Sequence, residues 1–112
     1  MSLPHARPGE AVSLQAASTS PQESHTTTLI KTASLEVIRL VLPAGKEIAP
    51  HRVAGEITLQ CLSGRVTLQT AGGPCELSSG TLTFLTGGEE HAVLAHEPSM
   101  LLVTILLSPK TK

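Results

Sequence analysis

The sequence predicts an all-β fold, a small barrel or sandwich of short strands. About nine short segments rich in β-branched and aliphatic residues follow one another along the chain, separated by glycine, proline and serine. No stretch carries the 3.6-residue apolar period of an amphipathic helix. An open sheet of such strands leaves its edges free to pair with other chains, so we expect the sheet to close or the protein to dimerise.

Alternation and bounding turns justify the strands in chain order. Residues 11–15 alternate polar and apolar side chains, whereas Pro4 and Pro8 predict a flexible tail over residues 1–8, ahead of a single domain over 9–112. Ser63 and Gly64 separate two alternating segments, and this spacing predicts a tight hairpin. The predicted strands are 11–15, 27–31, 35–42, 57–62, 65–70, 75–77, 81–85, 91–95 and 100–107.

Composition limits the size of the protein and the partners it can bind. The chain has 112 residues and a formal net charge of −1, which corresponds to one domain with one core. It contains one phenylalanine and no tryptophan or tyrosine. A nucleic-acid-binding protein typically has a basic surface, or aromatic side chains on which bases stack, and this composition offers neither. We therefore expect no nucleic-acid partner.

The apolar segments are too short for a membrane helix. The longest, 100–107, is interrupted by Thr104 and falls far short of the roughly 20 residues that span a bilayer. The first residues lack the basic region and apolar block of a secretory signal. These features predict a cytoplasmic protein with no membrane partner. Cys61 and Cys75 lack a CxxC spacing, so we expect free thiols instead of a disulfide framework or a zinc knuckle.

Two separate stretches each combine turn glycines with one histidine. In the first, Gly45 is followed after five residues by His51, and Gly64 closes the next strand. In the second, Gly80 and Gly88 precede His91. The two stretches resemble the two cupin motifs, G-x5-H-x-H-x3,4-E-x6-G and G-x5-P-x-G-x2-H-x3-N, and together they span about half of the chain. The resemblance implies a double-stranded β-helix, a jelly-roll-like barrel. It also implies a homodimer and a divalent metal held by three histidines and a glutamate.

The sequence departs from these motifs at four positions, two of which are metal-ligand positions. Only His51 and His91 remain as ligand-type residues at matching positions. Glu56 lies one residue before the motif's glutamate position, and alternation directs it away from the interior unless a bulge at Gly55 shifts the register. His51, His91 and Glu56 are therefore the candidate ligands of a zinc, iron, manganese or nickel ion, and a site without metal is the alternative. The departures are Val53, Ile57, Thr86 and Ala95, which stand for histidine, glutamate, proline and asparagine.

The same alternation predicts an apolar pocket beside the histidines. Val53, Ile57, Leu59 and Cys61 are expected to share the interior face. A mainly aliphatic pocket with a few polar atoms at one end is the usual form of a small-molecule site. Cys61 lies further along its strand, and we interpret it as a structural thiol.

Three functions remain open from the sequence, and the catalytic residues of any reaction are unknown. The first, which we favour, is a small-molecule-binding barrel, with or without a metal, that acts as a sensor or carrier. The second is a metal-dependent enzyme, a dioxygenase or isomerase. The third is a dimeric structural or interaction module whose site has decayed. The cupin resemblance cannot decide among them, because one fold hosts many unrelated activities.

Overall fold

The computed structural model describes residues 5–14 and 26–107, and within them it contains nine β-strands and no helix. The strands form two antiparallel sheets. The first has the order β1-β2-β9-β4-β7 and the second the order β3-β8-β5-β6. The predicted all-β fold is therefore confirmed. The strands are β1 (Thr27–Lys31), β2 (Leu35–Leu42), β3 (Glu47–His51), β4 (Ile57–Ser63), β5 (Arg65–Thr70), β6 (Gly73–Ser78), β7 (Leu82–Leu85), β8 (His91–Ala95) and β9 (Ser99–Leu106).

The core lies between the two sheets and follows the alternation of the strands. In β4, Ile57, Leu59 and Cys61 are buried, and the residues between them face outward. In β5, Val66 and Leu68 are buried in the same way. Because side chains in a strand point alternately to opposite faces, each sheet contributes one apolar face to this core.

The predicted hairpin at Ser63 and Gly64 is wrong. β4 pairs with β7 and β9 in the first sheet, whereas β5 pairs with β6 and β8 in the second. Gly64 is the only residue between the two strands, with φ +88°. A tight hairpin needs a loop of two residues, and only one is present here. The chain therefore turns a corner at Gly64 and crosses from one sheet to the other.

The strand β3 was not expected, and the strand predicted at 11–15 is absent over residues 11–14; Gln15 lies outside the described residues. β3 is an edge strand in which only Ile48 is partly buried, and it contains Pro50. Proline is tolerated on sheet edges, where its missing N–H removes no ladder bond. In the sequence, however, a proline argues against a strand, so β3 was not predicted. The 11–14 segment instead follows a turn in which Arg7 and Glu10 hydrogen-bond each other.

The N-terminal residues attach to the first sheet through isolated hydrogen bonds. Ala6 N donates to Leu29 O at 2.9 Å, and Arg39 Nη1 donates to Ser13 O at 3.3 Å. The expected domain boundary at residue 9 and the cytoplasmic location stay predictions. Within the described part of the chain, no helix is long and apolar enough to cross a membrane.

Candidate ligand-binding site

The two histidines, far apart in the sequence, meet at one end of the barrel. β3 and β8 pair antiparallel, and their register sets His51 directly opposite His91. The ring centroids lie 4.3 Å apart and the ring planes are inclined by 58°. His91 is buried, with 4% of its surface exposed, whereas His51 is exposed. The pair therefore spans from the interior to the solvent.

The loop after His51 and the loop before His91 hold each other in place. The amide of Gly88, in the β7–β8 loop, donates to Val53 O in the β3–β4 loop at 2.7 Å. Gly87 approaches the carbonyl of Ala54 so closely that a β-carbon there would clash with it. Thr86 Oγ1 donates to Glu89 Oε1 at 3.1 Å and stabilises the turn leading to His91. The glycine-rich sequence thus fixes the chain that leaves His51 and the chain that leads to His91.

Both imidazole rings are oriented by the same local hydrogen bond. Nδ1 of His51 lies 3.1 Å from Ala49 O, and Nδ1 of His91 lies 3.0 Å from Glu89 O. A carbonyl oxygen can only accept, so Nδ1 of each ring carries the hydrogen and donates it. In the neutral ring the lone pair is then on Nε2. Neither Nε2 has a hydrogen-bond partner among residues 5–14 and 26–107.

A cavity of about 170 Å³ lies between the sheets and is lined by both histidines. Its other walls are aliphatic side chains, and no lysine, arginine, aspartate or glutamate among residues 5–14 and 26–107 lines them. Within this part of the chain, the cavity is an apolar chamber with two imidazoles as its polar side chains. Besides the residues predicted from the sequence, the walls include Ile38, Leu40, Ile48, Val93, Val103 and Ile105.

Solved structures resemble this architecture at low sequence identity. A cupin superfamily protein from Desulfitobacterium hafniense superposes with a TM-score of 0.71 at 12% identity, covering 74% of this chain and 76% of its own. An RmlC-like cupin from Shewanella frigidimarina gives a TM-score of 0.70 at 15% identity, covering 76% and 77%.

This chain has the cupin fold. A conserved protein of unknown function from Streptococcus pyogenes matches it over 99% of this chain and 97% of its own, with a TM-score of 0.74 at 19% identity. No protein-family model and no curated protein matches the sequence.

Three of the four residues expected in the cupin pocket line the cavity, namely Val53, Ile57 and Leu59. Cys61 does not line it. Its side chain is fully buried, and the thiol donates to Ser63 O at 3.3 Å. Burial raises the pKa of the Cys61 thiol, which disfavours the reactive thiolate. Cys61 and Cys75 are both free thiols.

The structure does not bring Glu56 to the histidine pair. Glu56 is exposed and does not line the cavity. The register irregularities of the neighbouring strands lie between Ile48 and His51 and between Cys61 and Ser63, away from Gly55. Across the described ranges 5–14 and 26–107, no group of three His, Cys, Asp or Glu side chains is arranged to hold a metal ion. The donor set therefore does not fit the metal centre that the cupin motifs imply, which needs four protein ligands.

Pattern reading missed the walls that β2 and β9 contribute. Ile38 and Leu40 come from β2, and Val103 and Ile105 come from β9. Both strands are central in the first sheet and carry aliphatic residues on both faces. Without polar residues at alternate positions, the sequence does not indicate which face is turned inward. The pairing of β9 with β4 supplies that information, because it sets Val103 beside Leu59 and Ile105 beside Ile57.

Proposed function

We propose that this protein binds a small organic molecule in the cavity between its sheets and acts as a sensor or carrier. The observation that carries the proposal is the 170 Å³ chamber with two imidazoles as its polar groups. Apolar walls with a few convergent polar atoms are typical of small-molecule sites. Interiors of proteins are otherwise close-packed, so a chamber of this size favours binding over a purely structural role.

The binding that we propose does not require a metal. Zinc enzymes typically use three protein ligands and non-haem iron oxygenases two histidines and a carboxylate. This chain offers the two histidines, and the nearest carboxylate in its motif, Glu56, is exposed. The ligand set thus argues against the metal-dependent dioxygenase or isomerase, and we derive no reaction step through a metal.

Elemental analysis of protein purified without a histidine tag tests this point. We expect less than one equivalent of zinc, iron, manganese or nickel per chain. A stoichiometric metal that disappears in the double variant His51→Ala, His91→Ala would favour the metal-dependent enzyme instead.

Binding in the cavity can be tested by filling it. Val53 lies in the β3–β4 loop, is partly buried and lines the cavity. Val53→Phe adds a ring to the chamber, and we expect it to abolish binding of small aromatic fragments. Binding is measured by chemical-shift changes in ¹⁵N-labelled protein.

Val37→Phe is the matched control for this experiment. Val37 precedes the cavity residue Ile38 in β2 and therefore points to the opposite face of the sheet. We expect the control to bind fragments as the wild type does. Equal binding by Val53→Phe and the wild type would place the ligand elsewhere and contradict the proposal.

We also propose that the protein is a homodimer that pairs through β7. This strand is an edge of the first sheet, and two of its side chains, Leu82 and Phe84, are 64% and 61% exposed. No charged residue occurs between Leu77 and Gly88. In a two-fold interface the same surface meets itself, so any charge on it is present twice and finds no opposite charge on this surface. A neutral, apolar edge strand suits a second copy of the chain.

A further inference from the structure

We propose that the ligand is a small neutral molecule with one hydroxyl group that donates its hydrogen bond to the Nε2 atom of His51. This inference rests on the proposed function, because it names the class of ligand for the same cavity. It comes from three properties of the site: the hydrogen-bonding state of the two rings, the absence of charge in the walls, and the size of the chamber.

The hydrogen-bonding state of the rings selects for a donor. Each Nδ1 donates to a backbone carbonyl, that of Ala49 or Glu89, so each neutral ring offers a lone pair at Nε2. Both rings line the cavity, and neither Nε2 has a partner within the described residues. An unpartnered acceptor at an apolar chamber is satisfied by a hydroxyl donor on the ligand. An ether or ketone of the same size can only accept and finds no partner there.

The walls select against a charged ligand. The charged side chains nearest in sequence to the histidines, Arg52 and Glu90, pair with each other at 3.6 Å and are more than half exposed. Neither lines the cavity. A carboxylate or ammonium group in the chamber would therefore lose its hydration without gaining an ionic partner, which is unfavourable. The ligand is consequently neutral in the part that enters the protein.

The volume limits the ligand to a single ring or a short branched chain. An apolar cavity of about 150 Å³ in another protein holds one benzene molecule. The chamber of about 170 Å³ therefore accommodates one six-membered ring with a small substituent. Phenol is the simplest molecule that meets all three conditions. Anisole has the same ring without the donor, and benzoate has the same ring with a negative charge.

The experiment compares these three probes in the wild type and in His51→Leu by titration of ¹⁵N-labelled protein. His51 is exposed, so its replacement is tolerated more readily than that of buried His91. We expect His51→Leu to weaken phenol binding about five- to ten-fold, the effect of one lost hydrogen bond, and to change anisole binding less than about two-fold. Benzoate should bind the wild type at least about ten-fold more weakly than phenol. In the wild type, phenol should shift the Nε2 resonance of His51 and leave its Nδ1 nearly unchanged.

His96→Leu is the control, because this histidine faces away from the cavity and contacts Thr67 on the surface. It should alter the affinity for none of the probes. If His51→Leu weakens phenol and anisole equally, or if benzoate binds best, the ligand class is wrong while the cavity remains a binding site. If no probe binds the wild type, the proposed function fails together with this inference.

Discussion

Glu76 is the centre of a polar network on the outer face of the second sheet. Thr67 Oγ1 donates to Glu76 Oε2 at 2.6 Å, and Arg65 Nη1 donates to Oε1 at 3.4 Å. His96 approaches the same carboxylate at 3.7 Å. The hydrogen bond from Thr67 is the main cause that lowers the pKa of Glu76, with smaller contributions from Arg65 and His96. The ionised carboxylate is therefore favoured in the folded state.

The lowered pKa of Glu76 predicts a pH-dependent contribution to stability. A carboxyl group whose pKa is lower in the folded state stabilises the protein above its unfolded pKa, about 4.3 for glutamate. This contribution is lost as the pH falls through the folded pKa. We expect Glu76→Gln to reduce the loss of stability on acidification below about pH 4.3, measured by urea unfolding at several pH values.

Glu56→Gln removes the same charge at a position without this network. The Glu56 side chain makes no hydrogen bond or ion pair within the described residues. We expect the stability of the Glu56→Gln variant to fall on acidification as much as that of the wild type. If Glu76→Gln also loses as much stability on acidification as the wild type does, the hydrogen bonds to Glu76 do not contribute to the free energy of unfolding.

At the scale of elements, the corner between β4 and β5 joins the two sheets. Gly64 has φ +88°, and a β-carbon there would clash with Ser99 and with the carbonyl of Pro98. Ser99 Oγ accepts from Arg65 N at 3.0 Å and donates to Glu97 O at 2.7 Å. The close approach lets β5 begin in the second sheet immediately after β4 ends in the first.

We expect Gly64→Ala to destabilise the protein by more than about 3 kcal/mol, because backbone strain and a backbone clash act together. Gly80→Ala is the control: Gly80 has φ +89° but open space around the added methyl group. It should cost about 1 kcal/mol, the strain alone. Urea unfolding of both variants measures the difference, and equal losses would show that the approach to Ser99 is not what requires glycine.

Alternation predicts strands well where one face is polar and fails where it is not. β4 and β5 alternate strictly, and their buried residues could be named from the sequence. β3 could not be predicted, because Pro50 and its exposed neighbours leave this edge strand without an apolar face. Sheet membership could not be predicted either. Ser63 and Gly64 look like a hairpin turn, and the pairings with distant strands are what distinguish a corner from a hairpin.

At the scale of the whole molecule, the histidine pair depends on a contact between distant parts of the chain. The motif spacing singles out His51 and His91, and the register of β3 with β8 brings them together. The walls from β2 and β9 could not be predicted, because they need the register of β9 with β4 and of β2 with β9. The fold and the polar end of the site are thus within reach of sequence reasoning, whereas the shape of the chamber is not.

The proposed dimer surface on β7 lies on the outer face of the first sheet, away from the cavity. Thr58 and Gln60 of β4 pair with Phe84 and Leu82 on the outer face of the sheet. Ile57 and Leu59, which alternate with them, line the cavity. The two surfaces therefore lie on opposite faces of the same sheet, and association can be changed without touching the binding site.

Phe84→Lys puts two like charges, one from each chain, into the apolar two-fold interface, and we expect it to convert the dimer into a monomer of 11.7 kDa. Light scattering measures the mass. Leu94→Lys, on an exposed position of the second sheet, is the control and should stay dimeric. A monomeric wild type, or a dimer that survives Phe84→Lys, contradicts the assignment of β7. Because phenol binding depends on the opposite face, the monomer should retain its affinity for phenol, which separates assembly from ligand binding.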